Sequence, residues 1–127
     1  MNLEKVVFAF FIVLALTLNF GFFYGDIADP RVHHVYELFA AIVVSLIATV
    51  LKVGDRTHIG AVLLATSLVA DLQLIIAAFI WGYVVYVSKT GLTPENMSSI
   101  ISMSAGALVA NITSVILLVA ETLMIRR

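Results

Sequence analysis

Cysteine is absent, proline occurs twice and tryptophan once among the 127 residues. Without thiols there is no disulfide, no thiolate nucleophile and no Cys-based metal site. The compartment stays open, since a chain without thiols suits either redox environment. Charge is also scarce. Asp, Glu, Lys and Arg make up 12% of the chain, against about 25% in an ordinary soluble domain. The formal net charge of −1 gives a nucleic-acid partner no electrostatic footing. No phosphate-binding glycine loop, nucleophile motif or metalloprotease motif is present, so neither an enzyme nor a cofactor is expected. His33 and His34 lie near Asp26 and Asp29, but without recognised ligand spacing they read as a solvated loop, and His58 falls on the opposite predicted side. No metal is therefore expected.

What is plentiful is apolar surface, at 62% of residues. A soluble chain this short has too little interior to bury so much, so the lipid bilayer is the expected solvent. Residues 6–23 form a first apolar run just long enough to cross a bilayer. A signal peptide is the weaker reading of this run: a single Lys precedes it and no A-x-A-like site precedes Asp26. Thr17, Asn19 and Gly21 near its end are suited to contact with other helices. Gly25 and Pro30 punctuate a loop before a second span over 35–51, in which Glu37, Ala41, Ser45 and Thr49 recur every fourth residue as one polar or small stripe. Asp55 or Thr57 is placed to cap the next helix. The third run, 59–87, is roughly 43 Å long at 1.5 Å per residue, against a hydrocarbon core of about 30 Å. It must therefore tilt, kink or project at one end. Trp81, Tyr83 and Tyr86 read as an interfacial belt at that end. Thr93, Pro94 and Glu95 open a fourth helix over 94–124. Within it Ser98, Ser102, Gly106, Ala110 and Ser114 form a row of small residues suited to close helix packing.

The expected fold is an all-α membrane protein with four transmembrane helices in one domain. Lys5, Lys52, Arg56, Arg126 and Arg127 share one side, and Arg31 and Lys89 the other. The positive-inside rule then puts the N- and C-termini in the cytoplasm.

The segments Leu51-Lys52-Val53-Gly54-Asp55-Arg56 and Leu63-Leu64-Ala65-Thr66-Ser67-Leu68-Val69-Ala70-Asp71-Leu72-Gln73-Leu74 resemble a family of small bacterial four-helix integral membrane proteins of unknown function. The pattern is L-K-x-G-x-R followed by L-L-A-[ST]-S-L-V-A-D-L-x-L, covering about the central third of the chain. The resemblance implies a bacterial inner-membrane location and no activity. Gln73 stands where the resemblance leads one to expect a His, so no pH-sensing role is carried over.

Asp71 is the residue most suited to chemistry. An ionised Asp at mid-bilayer costs about 2.5–3.5 kcal/mol on insertion scales, so such acids face a protein interior or water. One reading is a cation or proton site, with Ser67, Gln73 and Asn111 as its shell and Glu37 attracting cations from outside. The other is packing, with Asp71 hydrogen-bonded to Asn111 or Asn19. Glu37 also fits a solvated first-turn position favoured by the helix dipole. A single bundle of four helices is expected to shelter Asp71, Glu37, Asn19 and Asn111 poorly, which points to a homo-oligomer; the fourth-helix row serves either packing within the bundle or a seam between copies. Two functions follow: a small oligomeric cation or proton channel or transporter, or a non-transporting accessory subunit in which Asp71 pairs with a partner membrane protein.

Overall fold

The computed structural model describes residues 3–24, 29 and 34–125. The expectations for Asp26, Arg31, His33, Arg126 and Arg127 lie outside these residues. Four helices account for nearly all of it: α1 (Leu3–Phe23), α2 (Val35–Lys52), α3 (His58–Gly82) and α4 (Pro94–Ile125). All four are long and apolar enough to cross a membrane, and a multi-pass membrane protein follows. No strand occurs among the described residues.

Local chemistry sets the helix ends. Thr57 caps α3 by accepting the Gly60 N–H at 3.0 Å. Asp55 braces that cap by accepting from the Thr57 N–H at 2.9 Å and its hydroxyl at 2.7 Å. Together with a 3.2 Å ion pair from Lys52, these bonds hold the Asp55 carboxyl down to about 2 from its ordinary 3.8. The excess length of the third span is taken up at its far end. There α3 continues as a π-helical turn, Tyr83–Val87, closed by a bond from the Ser88 N–H to the Tyr83 carbonyl at 2.9 Å. Lys89 and Gly91 in the left-handed region then reverse the chain. Thr93 caps α4 through the Asn96 N–H at 3.1 Å, with Pro94 as the first helical residue.

Each helix packs against its chain neighbours, and α4 closes back on α1, giving an up-down-up-down bundle. Most of each span faces outward, as lipid-solvated helices do. Tyr24, Tyr36, Tyr83 and Tyr86 are exposed at one end, where a membrane interface suits them. Lys52 and Arg56 mark the other. Arg56 is exposed there, but Lys52 is tucked in, its ammonium 4.4 Å from the centre of the Phe8 ring.

The core has two apolar parts. One is built on Phe22, Leu38, Ala41, Ala70, Leu74, Ala77, Met97, Ile100 and Ala107, and the other on Phe8, Ile12, Ala48 and Leu63. The row of small residues on α4 does not form one face. A four-residue step overshoots a helical turn by about 40°, so the row winds around the helix. Ser102 is exposed and Ser98 and Gly106 are half-buried, while Ala110 and Ser114 are buried. The bundle-facing row is instead Met97, Ile100, Ser104, Ala107, Asn111 and Ser114.

Candidate functional site

Between the two apolar parts lies a polar layer. Along α2 the order is Ala41, Ser45, Ala48; along α3, Leu63, Ser67, Ala70; along α4, Ala110, Asn111, Val115. In each helix the polar residue falls where one cluster gives way to the other. Contacts between helices bring these positions to one level. Thr66 and Ser114 pair through their hydroxyls at 2.6 Å, and the Gln73 side chain packs directly on Gly106. These two ties bracket Ser67 and Asp71 on α3, and Ala110 and Asn111 on α4. The Lys5–Glu121 ion pair at 3.4 Å and the Asn19–Ser104 pair likewise bracket Ile12 and Ala15 on α1 with Asn111 on α4.

Asp71 is the only carboxylate of this layer among the described residues and is 5% exposed. Its carboxylate accepts from the Ser45 hydroxyl at 2.6 Å and the Thr49 hydroxyl at 2.5 Å. Ser45 and Thr49 share a face of α2 because they are four residues apart. Thr49 Oγ1 also lies 2.9 Å from the Ser45 carbonyl, so its proton has two acceptors within reach. Ser67, one turn before Asp71 on the same face, and Asn111 are both fully buried. Ser67 Oγ and both Asn111 side-chain atoms have no hydrogen-bond partner in the protein. Buried polar groups are rarely left so, and each calls for an explanation.

The expected shell is therefore corrected in part. Asp71, Ser67 and Asn111 are all buried at one level of the bundle, whereas Gln73 and Glu37 lie elsewhere. Gln73 is turned into an apolar groove on the outer side of α3 and α4, beside Val69, Gly106 and Val109. Adjacency to Asp71 in sequence put it about 200° around the helix. Glu37 lies against Gly21 at the aromatic end, about 12 Å along the axis from Ser45 at 1.5 Å per residue. Asp71 bonds to neither Asn111 nor Asn19. Asn19 pairs instead with Ser104: its Nδ2 donates to the Ser104 carbonyl at 3.2 Å and its Oδ1 accepts the Ser104 hydroxyl at 2.6 Å. One four-helix bundle does bury Asp71, Asn19 and Asn111, so their shelter does not require an oligomer. The premise failed because the polar residues sit at two separate levels, each small enough for the interior to hold.

Ser45 and Thr49 are the site residues that sequence reasoning left out. The signal was present in the four-residue stripe on α2. What was missing was the rotation that turns this stripe toward Asp71 rather than toward Glu37's end of the bundle. Toward the basic end, one turn beyond Thr49, a cleft of about 800 Å³ reaches Phe8 and Lys52, with Lys5, Asp55 and Arg56 also lining it. Phe8, Ile12 and Leu63 separate the layer from this cleft.

Residues 32–122 match the model of a family described as a family of unknown function, DUF6394. The match takes in α2, α3 and nearly all of α4, and with them the segments around Lys52 and Asp71. No curated protein and no solved structure matches the chain.

Proposed function

The chain belongs to that family of unknown function, and from its mid-span polar layer we propose that it transports a proton or monovalent cation across a bacterial inner membrane, with Asp71 as the transported ion's resting place. The observation that carries the reading is Asp71 itself: a buried mid-span carboxylate whose partners are two hydroxyls, with no cationic partner among the described residues. A buried carboxylate with a purely structural role would gain most from a counter-charge fixed in the protein. Here the charge is left for a mobile ion to neutralise.

The two apolar clusters close the layer from both ends, so the conformation is that of an occluded carrier rather than an open pore. The barrier toward the basic end is the thinner one. Loosening of α1 at Phe8 and Ile12 would join the layer to the cleft at Lys52, giving access from the side that the positive-inside rule assigns to the cytoplasm. Access from the aromatic end requires the larger cluster around Phe22, Leu38 and Leu74 to part. The accessory-subunit reading needs an outward-facing Asp71, and the side chain is turned to hydroxyls of its own chain. Transport through one bundle also needs no central axis, so a homo-oligomer is a feature the proposal permits without depending on it.

Proteoliposomes containing the purified protein test the reading. Asp71→Asn, which keeps the shape and removes the charge, is expected to abolish ion uptake. Uptake equal to wild type would overturn the assignment.

A further inference from the structure

We infer that the mid-span layer binds a monovalent metal cation of the sodium type at Asp71, with Ser67 and Asn111 completing its oxygen shell. The inference deepens the transport reading, but binding itself does not depend on flux.

The unpartnered atoms motivate it. A proton on Asp71 needs only the carboxylate and one acceptor, and would leave the Ser67 hydroxyl and the Asn111 amide as they are. A hard cation takes oxygen ligands from carboxylate, hydroxyl and amide carbonyl. Asp71, Ser45, Thr49, Ser67 and Asn111 offer that set from three helices at one level. Asn111 Oδ1 would face the ion, leaving Nδ2 to donate to an oxygen of the same layer. On the α1 side the layer meets Ala15, which is buried and belongs to neither apolar cluster.

Charge sets the valence. The layer has one carboxylate, and no group of three or more acidic or histidine side chains is gathered anywhere among the described residues. A monovalent cation leaves the layer neutral, whereas a divalent ion would strand a net positive charge in a low-dielectric interior.

The Ser45 and Thr49 hydroxyls donate to the carboxylate from α2. Among the described residues no other titratable group is buried at this level. Ser45 and Thr49 face it from α2, Ser67 precedes it on α3, and α1 and α4 offer Ile12, Ala15, Asn111 and Ser114 at this level. Lys52, a turn beyond Thr49, is held by Asp55.

Thermal unfolding of the detergent-solubilised full chain, titrated with NaCl against choline chloride at constant ionic strength, tests the inference. A ligand that binds only the folded state raises the midpoint with its concentration. Sodium is expected to stabilise the wild type. Asp71→Asn should lose the response, Ser67→Ala and Asn111→Leu should weaken it at least about tenfold, and Gln73→Leu should keep it. Lithium and potassium series rank the site. A response absent for every alkali ion at all pH values, or one that Asp71→Asn retains, overturns the inference. Loss of flux in Asp71→Asn without any alkali-ion response would leave a proton carrier standing and remove the metal site. Sodium binding without Asp71-dependent flux would do the reverse.

Discussion

Two asparagines are buried in this bundle, and they are treated differently. Asn19 faces Ser104, and each gives and takes one hydrogen bond across α1 and α4. Asn111, a little deeper along α4, has no partner for either side-chain atom. Both are fully enclosed. In lipid the hydrophobic effect does not drive helices together, so packing and such hydrogen bonds carry their association. The Asn19–Ser104 pair is complete and works as a clasp. The layer around Asp71 is satisfied on the α2 side, whereas Asn111 on the α4 side has no protein partner, and that difference motivates the proposed ion site.

Stability measurements can break this comparison. Asn19→Leu is expected to cost about 1–2 kcal/mol, because it removes two bonds and strands the Ser104 hydroxyl. Asn111→Leu, measured without sodium, should be neutral or stabilising, since it removes an amide that has no protein partner. Reversible unfolding in mixed micelles reads both, and equal costs would erase the distinction. A smaller effect sharpens the α2 side. Ser45→Ala and Thr49→Val each remove one bond to Asp71 and should cost about 0.6 kcal/mol, a usual value for an interhelical hydrogen bond in a membrane. Each cost should shrink in an Asp71→Leu background, which a double-mutant cycle measures. Full additivity would mean that the hydroxyls do not act through Asp71.

The smallest expected effect lies at the membrane surface, where Asp55 is held by Thr57 and Lys52. Its pKa is lowered from 3.8 to about 2. A lowered carboxyl pKa stabilises the folded state above the unfolded value, and that contribution is lost as pH falls through the folded value. The wild-type melting temperature should therefore drop between about pH 4 and pH 2 by more than that of Asp55→Asn. Parallel profiles would show that the Thr57 brace carries no weight.

Much of this was legible in the sequence, and the misses share a cause. The four spans follow from apolar run length, and the Thr57 and Thr93 caps from residue type and position. That Asp71, Ser67 and Asn111 face inward was legible from helical periodicity and depth. Rotation between helices was not legible. Ser45 and Thr49 read as a stripe without a target, and adjacency to Asp71 in sequence does not put Gln73 on the same face. Four-residue spacing on α4 suggests a single seam, but the drift of about 40° per step carries the row around the helix. Depth along a helix can be counted from the chain, whereas the azimuth at which two helices meet is set by packing that only the folded structure shows.

The direct test of the account places the two buried levels side by side. Ion uptake into proteoliposomes is measured for Asp71→Asn and Asn19→Leu, each normalised to the amount of folded protein. The account predicts that Asp71→Asn abolishes uptake and that Asn19→Leu, though less stable, retains it. Uptake that survives in Asp71→Asn, or that fails equally in both, would contradict the assignment of the mid-span layer as the working site.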